Sequence, residues 1–141
     1  MSEKFMLEAL AVSKQALPYC KPNPPVGCVL VKNNQVVSKG FTQAIGRNHA
    51  EVEALNAYSG DLSGVIAYVT LEPCSFVGRT GACASALVAA GIKYVVIAML
   101  DPDLRNNGKG VELLKSAGVK VELGLGAEMV TPFLSPYLSK L

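Results

Sequence analysis

The strongest constraint on the fold is a change of pattern about midway along the chain. Before it, the apolar run 26–31 (VGCVLV), the pair Asn33-Asn34 and the run 35–40 (QVVSKG) have the form of an antiparallel hairpin closed by a tight turn. After it, strand-like runs at 65–71, 93–99 and 119–122 alternate with helical stretches at 83–90, closed by Gly91, and 111–115, ended by Ala117-Gly118. That alternation calls for parallel strands with helices laid on the sheet. A helix over 49–58 joins the two halves. Another opens the chain, with Met6, Ala9, Leu10 and Leu17 on one face, Phe5 and Val12 beside them, Ser2 as its cap and Pro18 as its stop. A helical tail follows the last strand. The expected fold is α/β: a mixed five-stranded sheet with the hairpin at one side and helices on both faces, in three α/β/α layers. Neither a repeat nor a linker interrupts it, so residues 1–141 form a single domain. Between the first helix and the hairpin, Pro18, Pro22, Pro24 and Pro25 remove backbone donors, and the segment 18–25 is expected to be an extended loop.

Half of the residues are apolar and 17% are charged, enough to bury a core and too few charges for a disordered chain. Thirteen Lys+Arg against eleven Asp+Glu leave a net charge of +2, which disfavours nucleic-acid binding by bulk electrostatics. No apolar run approaches the ~18–20 residues of a membrane span. The start, MSEKFMLEAL, carries two acids and no cleavage pattern, so a cytoplasmic protein is expected, with its four cysteines reduced. There is one histidine.

That histidine lies at the start of a helix in His49-Ala50-Glu51. Pro73-Cys74 follows a strand, and Cys83 heads the next helix. Ligands of α/β sheets bind beyond the carboxyl ends of strands, and helix N-termini there favour thiolates. One imidazole and two thiolates are the donor set of a catalytic zinc site, whose open position holds a water with its pKa brought toward ~7. Glu51, on the same first turn, can hold a proton beside the metal without ligating it. H-x-E with a later P-C and a second cysteine is the pattern of zinc-dependent deaminases. A closed structural site would need a fourth protein ligand, which Cys20 or Cys28 could supply. Cys28, inside an apolar strand, instead reads as a small buried side chain, and Cys20 as an incidental thiol.

The segments 22–28 (PNPPVGC), 49–52 (HAEV) and 68–75 (YVTLEPCS), with Gly78-Arg79-Thr80, Asp101-Pro102 and 108–110 (GKG), resemble the deaminase domain of bacterial riboflavin biosynthesis, the diaminohydroxyphosphoribosylaminopyrimidine deaminases. The likeness covers nearly the whole chain. It implies a cytidine-deaminase-like fold, zinc on His49, Cys74 and Cys83, and Glu51 as acid and base. It also implies that Asn23 meets the pyrimidine ring, that the loop with Arg79 and Thr80 holds substrate, and that Thr42, Ser75, Phe76 and Asp103 stand at substrate-contact positions. The chain departs from the pattern where the family has further histidines, here Thr42, Glu53 and Phe76. It departs again at Gly81-Ala82, where Pro-Pro is usual, and at Asp103, where Asn is usual. Those changes leave Arg79 and Lys21 as the expected cations for a phosphate. The family's reductase domain does not follow within this sequence, so a stand-alone deaminase is expected, with a small aminopyrimidine as substrate and a separate reductase as partner. The apolar residues Val130, Phe133, Leu134, Tyr137 and Leu138 suggest a homo-oligomer, dimer or tetramer. The competing readings are a deaminase of another aminopyrimidine or aminopurine, a tRNA or single-strand deaminase, and a non-catalytic partner of a reductase.

Overall fold

Asn33 and Asn34 both take positive φ, 51° and 64°, the backbone of a two-residue turn that matches strand twist. In this computed structural model, which describes residues 2–75 and 82–138, the turn folds β1 (Gly27–Lys32) onto β2 (Gln35–Phe41). Three further strands, β3 (Ile66–Val69), β4 (Tyr94–Ile97) and β5 (Lys120–Leu123), complete a sheet of order β2-β1-β3-β4-β5. Pairing is antiparallel for β1 with both β2 and β3, and parallel for β3–β4 and β4–β5. The hairpin at one side and the parallel strands beyond agree with the sequence pattern. The pattern does not reveal that β1 separates β2 from β3, although a helix joins those two in sequence. The central strands are apolar and buried on both faces, whereas β2 and β5 alternate or lie half exposed at the edges.

Register shows how the helices divide. Gly27 pairs with Phe41 and Cys28 with Gly40, so Gly27 and Gly40 point to opposite faces. A methyl group at Gly27 would strike the Ala9 carbonyl of α1 (Glu3–Ser13). One at Gly40 would strike the Ala50 carbonyl and Ala54 nitrogen of α2 (Ala50–Asn56). Helix α1 therefore lies on one face and α2 on the other. The helices α3 (Cys83–Ala90) and α4 (Lys109–Ser116) continue the α2 layer, and α5 (Ala127–Leu134) packs beside α1. Gly91 ends α3 at φ 91°, as its place in the sequence suggests.

Three expectations change. The segment 17–22 is not extended but winds through successive turns, Cys20 N–H donating to Ala16 O and Asn23 N–H to Cys20 O, because the peptides between the prolines still have donors to satisfy. Ser2 precedes α1 in an extended conformation but makes no side-chain cap. The C-terminal residues do not wait for a partner: Val130 and Leu134 are fully buried in the chain's own core, with Phe133 and Leu138 packed against it.

Because α2 rests on bare backbone at Gly40, Gly40→Ala should lower unfolding free energy by about 1–3 kcal/mol, the usual cost of overpacking, as read from the denaturant midpoint.

Candidate active site

Strands β2, β3 and β4 run the same way, so the segments leaving them reach one edge of the sheet. Antiparallel β1 presents its amino end there. Two threonines secure that end: Thr42 Oγ1 accepts from Val26 N–H at 2.9 Å, and Thr70 Oγ1 accepts from Gly27 N–H at 3.1 Å. Their own N–H groups return bonds to Val26 O and Gly27 O. The loop ahead of β1 is thereby placed beside the metal-type residues.

His49 is the N-cap of α2 and Cys83 the first residue of α3; Cys74 follows β3. Their ligand atoms lie within 4.8 Å of one another. His49 Nδ1 is 3.1 Å from Cys83 Sγ and 3.9 Å from Cys74 Sγ. Tetrahedral zinc bonds of the usual lengths would place nitrogen and sulfur about 3.6 Å apart, so the set fits the ion with sub-ångström adjustment. Neither Cys20 nor Cys28 belongs to it. Both are buried, Cys28 in its strand as the sequence suggests and Cys20 more deeply than an incidental loop thiol would be.

The electrostatics favour a thiolate. Cys83 donates to Cys74 through its thiol and, at 3.2 Å, through its backbone N–H; with His49 nearby, this draws the Cys74 pKa down to about 4. Cys83, as the donor and itself buried, is shifted upward. The bond to Cys74 raises His49. Glu51 is 3% exposed, and burial, opposed by its own backbone hydrogen bond, pushes its pKa up to about 7.

These groups face a cavity of about 400 Å³ whose described lining includes Asn23, Thr42, His49, Glu51, Cys74 and Asp103. Asn23 offers its side-chain amide there without a hydrogen bond to any described residue. Thr42 lines the wall, but its hydroxyl is engaged with Val26. Asp103 is held by Arg105, whose Nη2 lies 2.6 Å from Oδ2, which keeps the carboxyl below its ordinary range. Ser75 adjoins Cys74 without lining the cavity, its N–H taken by Asn106 Oδ1 at 3.0 Å. Phe76, Arg79 and Thr80 lie outside the described residues. Glu53 accepts from Asn48 Nδ2 at 2.9 Å and ties the loop to α2.

Sequence reasoning missed several participants. Among the described residues, Arg47 and Arg105 are the cations that line the cavity, and Lys21 does not line it. Arg47 lies two residues before His49, a signal that was available; Arg105 carried none. Tyr137 and Leu138 form part of the wall, which gives the apolar tail a role within its own chain. Glu72 is buried with its carboxylate accepting from three backbone N–H groups, those of Asp101, Gly108 and Val111, each at 3.0 Å. It binds the start of α4 to the strand that leads to Cys74. Gly110 permits the approach, since a methyl group there would strike the Pro73 carbonyl.

A histidine and a cysteine at helix starts, a second cysteine in the segment after a strand, and a buried carboxylate on the first turn of the histidine's helix define the class: a zinc-dependent deaminase. The chain belongs to the cytidine and deoxycytidylate deaminase family, whose zinc-binding-region model matches residues 1–99. It is 43% identical over 126 residues to a diaminohydroxyphosphoribosylamino-pyrimidine deaminase of Buchnera aphidicola, covering 89% of this chain and 86% of that one. It is 44% identical over 134 residues to the riboflavin biosynthesis protein RibD of Chlamydia muridarum, covering 95% of this chain but only 36% of RibD. A Thermotoga maritima structure, described as a diaminohydroxyphosphoribosylaminopyrimidine deaminase/5-amino-6-(5-phosphoribosylamino)uracil reductase, superposes with a TM-score of 0.90 at 37% identity over 96% of this chain and 39% of that one.

Zinc analysis of purified variants should find one ion per chain in Cys20→Ser and Cys28→Ala and none in Cys74→Ser or Cys83→Ser; full occupancy in Cys74→Ser would remove it from the ligand set.

Proposed function

We propose that the chain deaminates the phosphoribosylated diaminopyrimidinone of riboflavin biosynthesis, consuming one water and releasing one ammonia. The observation that carries this reading is the buried Glu51 carboxyl beside His49, Cys74 and Cys83 in a cavity that also presents Asn23 and two arginines. Similarity to the Buchnera deaminase along most of both chains supports it. The cavity has the size of a small-molecule site.

Each residue has a role in this reading. His49, Cys74 and Cys83 would hold a zinc ion, which would supply a water acidified toward neutrality. Asn23, donor and acceptor in one plane, aligns the heterocycle edge. Glu51 takes the proton from water as its oxygen joins the ring carbon bearing the exocyclic amine. It passes that proton to the adjacent ring nitrogen and then moves the proton of the added hydroxyl to the amine nitrogen, which leaves as ammonia while the ring carbonyl forms. Arg47 and Arg105 receive the phosphate, and the family resemblance alone assigns Arg79, Thr80 and Phe76 to substrate contact. A separate reductase consumes the product, a step that the name of the Thermotoga relative joins to deamination. The cytoplasm, where thiolate ligands stay reduced, is the compartment, and a homo-oligomer would cover the half-exposed Leu123 and Met129.

A second reading, an aminopyrimidine or aminopurine without phosphate, is favoured by one observation: Thr42 and Asp103 both spend their polar groups within the chain. Ammonia release from the phosphorylated diaminopyrimidinone, its dephosphorylated form, and free aminopyrimidines and aminopurines separates the two. The proposed function requires the phosphorylated compound to have the highest kcat/KM.

Glu51→Gln should keep its zinc and fold yet lose about 10⁴-fold in kcat, the upper range for general acid–base catalysis, because one group serves both water addition and ammonia departure. Arg47→Ala and Arg105→Ala should each raise KM for the phosphorylated substrate about tenfold, with kcat little changed, as expected for loss of a charge-assisted contact of about 1.5 kcal/mol.

A further inference from the structure

Cys74 lies in a stretch without regular secondary structure, so no helix or strand ladder dictates where its sulfur points. The direction of its Cα–Cβ bond is set by the two peptide planes on either side. One plane carries Pro73 O, and the other carries Cys74 O and Ser75 N–H. A single side chain holds both. Asn106 Nδ2 donates to Pro73 O at 3.2 Å, and Asn106 Oδ1 accepts from Ser75 N–H at 3.0 Å. The second plane is held again from α3, where Ala84 N–H donates to Cys74 O at 3.0 Å.

Asn106 is itself immobilised. It is fully buried, its N–H donates to Asp103 O at 2.9 Å, and Nδ2 lies 3.4 Å from Asp101 Oδ2. The loop that carries it is clamped at both ends by Glu72, through Asp101 N–H and Gly108 N–H. Only a planar amide can donate to one peptide and accept from the other at this separation. A carboxylate would face the Pro73 carbonyl acceptor to acceptor, and a hydroxyl is too short to span both planes.

We propose that Asn106 is a positioning residue for the metal: by bracketing Cys74 it presets the thiolate for zinc before the ion arrives. The inference rests on His49, Cys74 and Cys83 as ligands and not on the substrate, so its test reads zinc rather than ammonia. Asn106→Asp and Asn106→Ser would be titrated with zinc against a chromophoric chelator, and their cobalt-loaded forms compared by the thiolate-to-cobalt charge-transfer band. Loss of outer-shell support typically weakens metal binding 10–100-fold, and that is the expected fall in both variants, together with a weaker or shifted band. A merely structural role would lower the melting temperature and leave zinc affinity and the band unchanged. Zinc affinity within twofold of the unmodified chain in a folded variant overturns the proposal. Retention of zinc by Cys74→Ser would instead overturn the ligand set. Amide exchange in the unmodified, zinc-free chain provides a reading independent of any variant. Ser75 N–H should stay protected without the ion, and exchange at the rate of a free peptide would show that the bracket is not preset.

Discussion

The backbone N–H of Cys83 donates to the sulfur of Cys74 at 3.2 Å, and much of the site depends on that bond. It brings the first turn of α3 onto the residue that leaves β3, so both thiols meet where a helix start already favours negative charge. His49, the N-cap of α2, approaches from the neighbouring helix and closes the donor set. Three segments that are distant in sequence thus converge, each delivered by an element whose direction the sheet fixes. Once the sulfur of Cys74 is located, the position of Glu51 follows, since it sits on the first turn of the helix that His49 caps.

The reversal of β1 supplies what a purely parallel sheet would lack. Running against β3, it carries its amino end to the same edge as the carboxyl ends of its neighbours, and the loop with Asn23 becomes a wall of the cavity. Thr42 and Thr70 fasten that end from both sides. The hydroxyl of Thr42, engaged with Val26, is part of this scaffold although the residue lines the cavity.

Charge at the mouth of the cavity is divided unequally. Asp103 and Arg105 satisfy each other through several contacts, whereas Arg47, from the segment before α2, is exposed. An anionic group entering there would meet Arg47 directly and would have to share Arg105 with Asp103. Glu72 binds the start of α4 and the loop after β4, its buried side-chain oxygens satisfied by three backbone donors.

Much of this was legible in the residues alone. Asn33-Asn34 between two apolar runs specifies a hairpin because positive φ at both positions suits few other residues, and the alternation after residue 60 specifies parallel strands because a helix must return the chain. The metal triad was legible too: with one histidine in the chain, the spacing of His49, Glu51, Cys74 and Cys83 left little freedom. Those signals are local, carried within a turn or a motif. The insertion of β1 between β2 and β3, the entry of Tyr137 into the cavity wall, the pairing of Asp103 with Arg105, and the grip of Asn106 on Cys74 were decided only by the tertiary structure. Each depends on which buried donors and acceptors face one another after the sheet has formed. An asparagine in a turn carries no mark in sequence of the distant peptides whose hydrogen bonds it will satisfy.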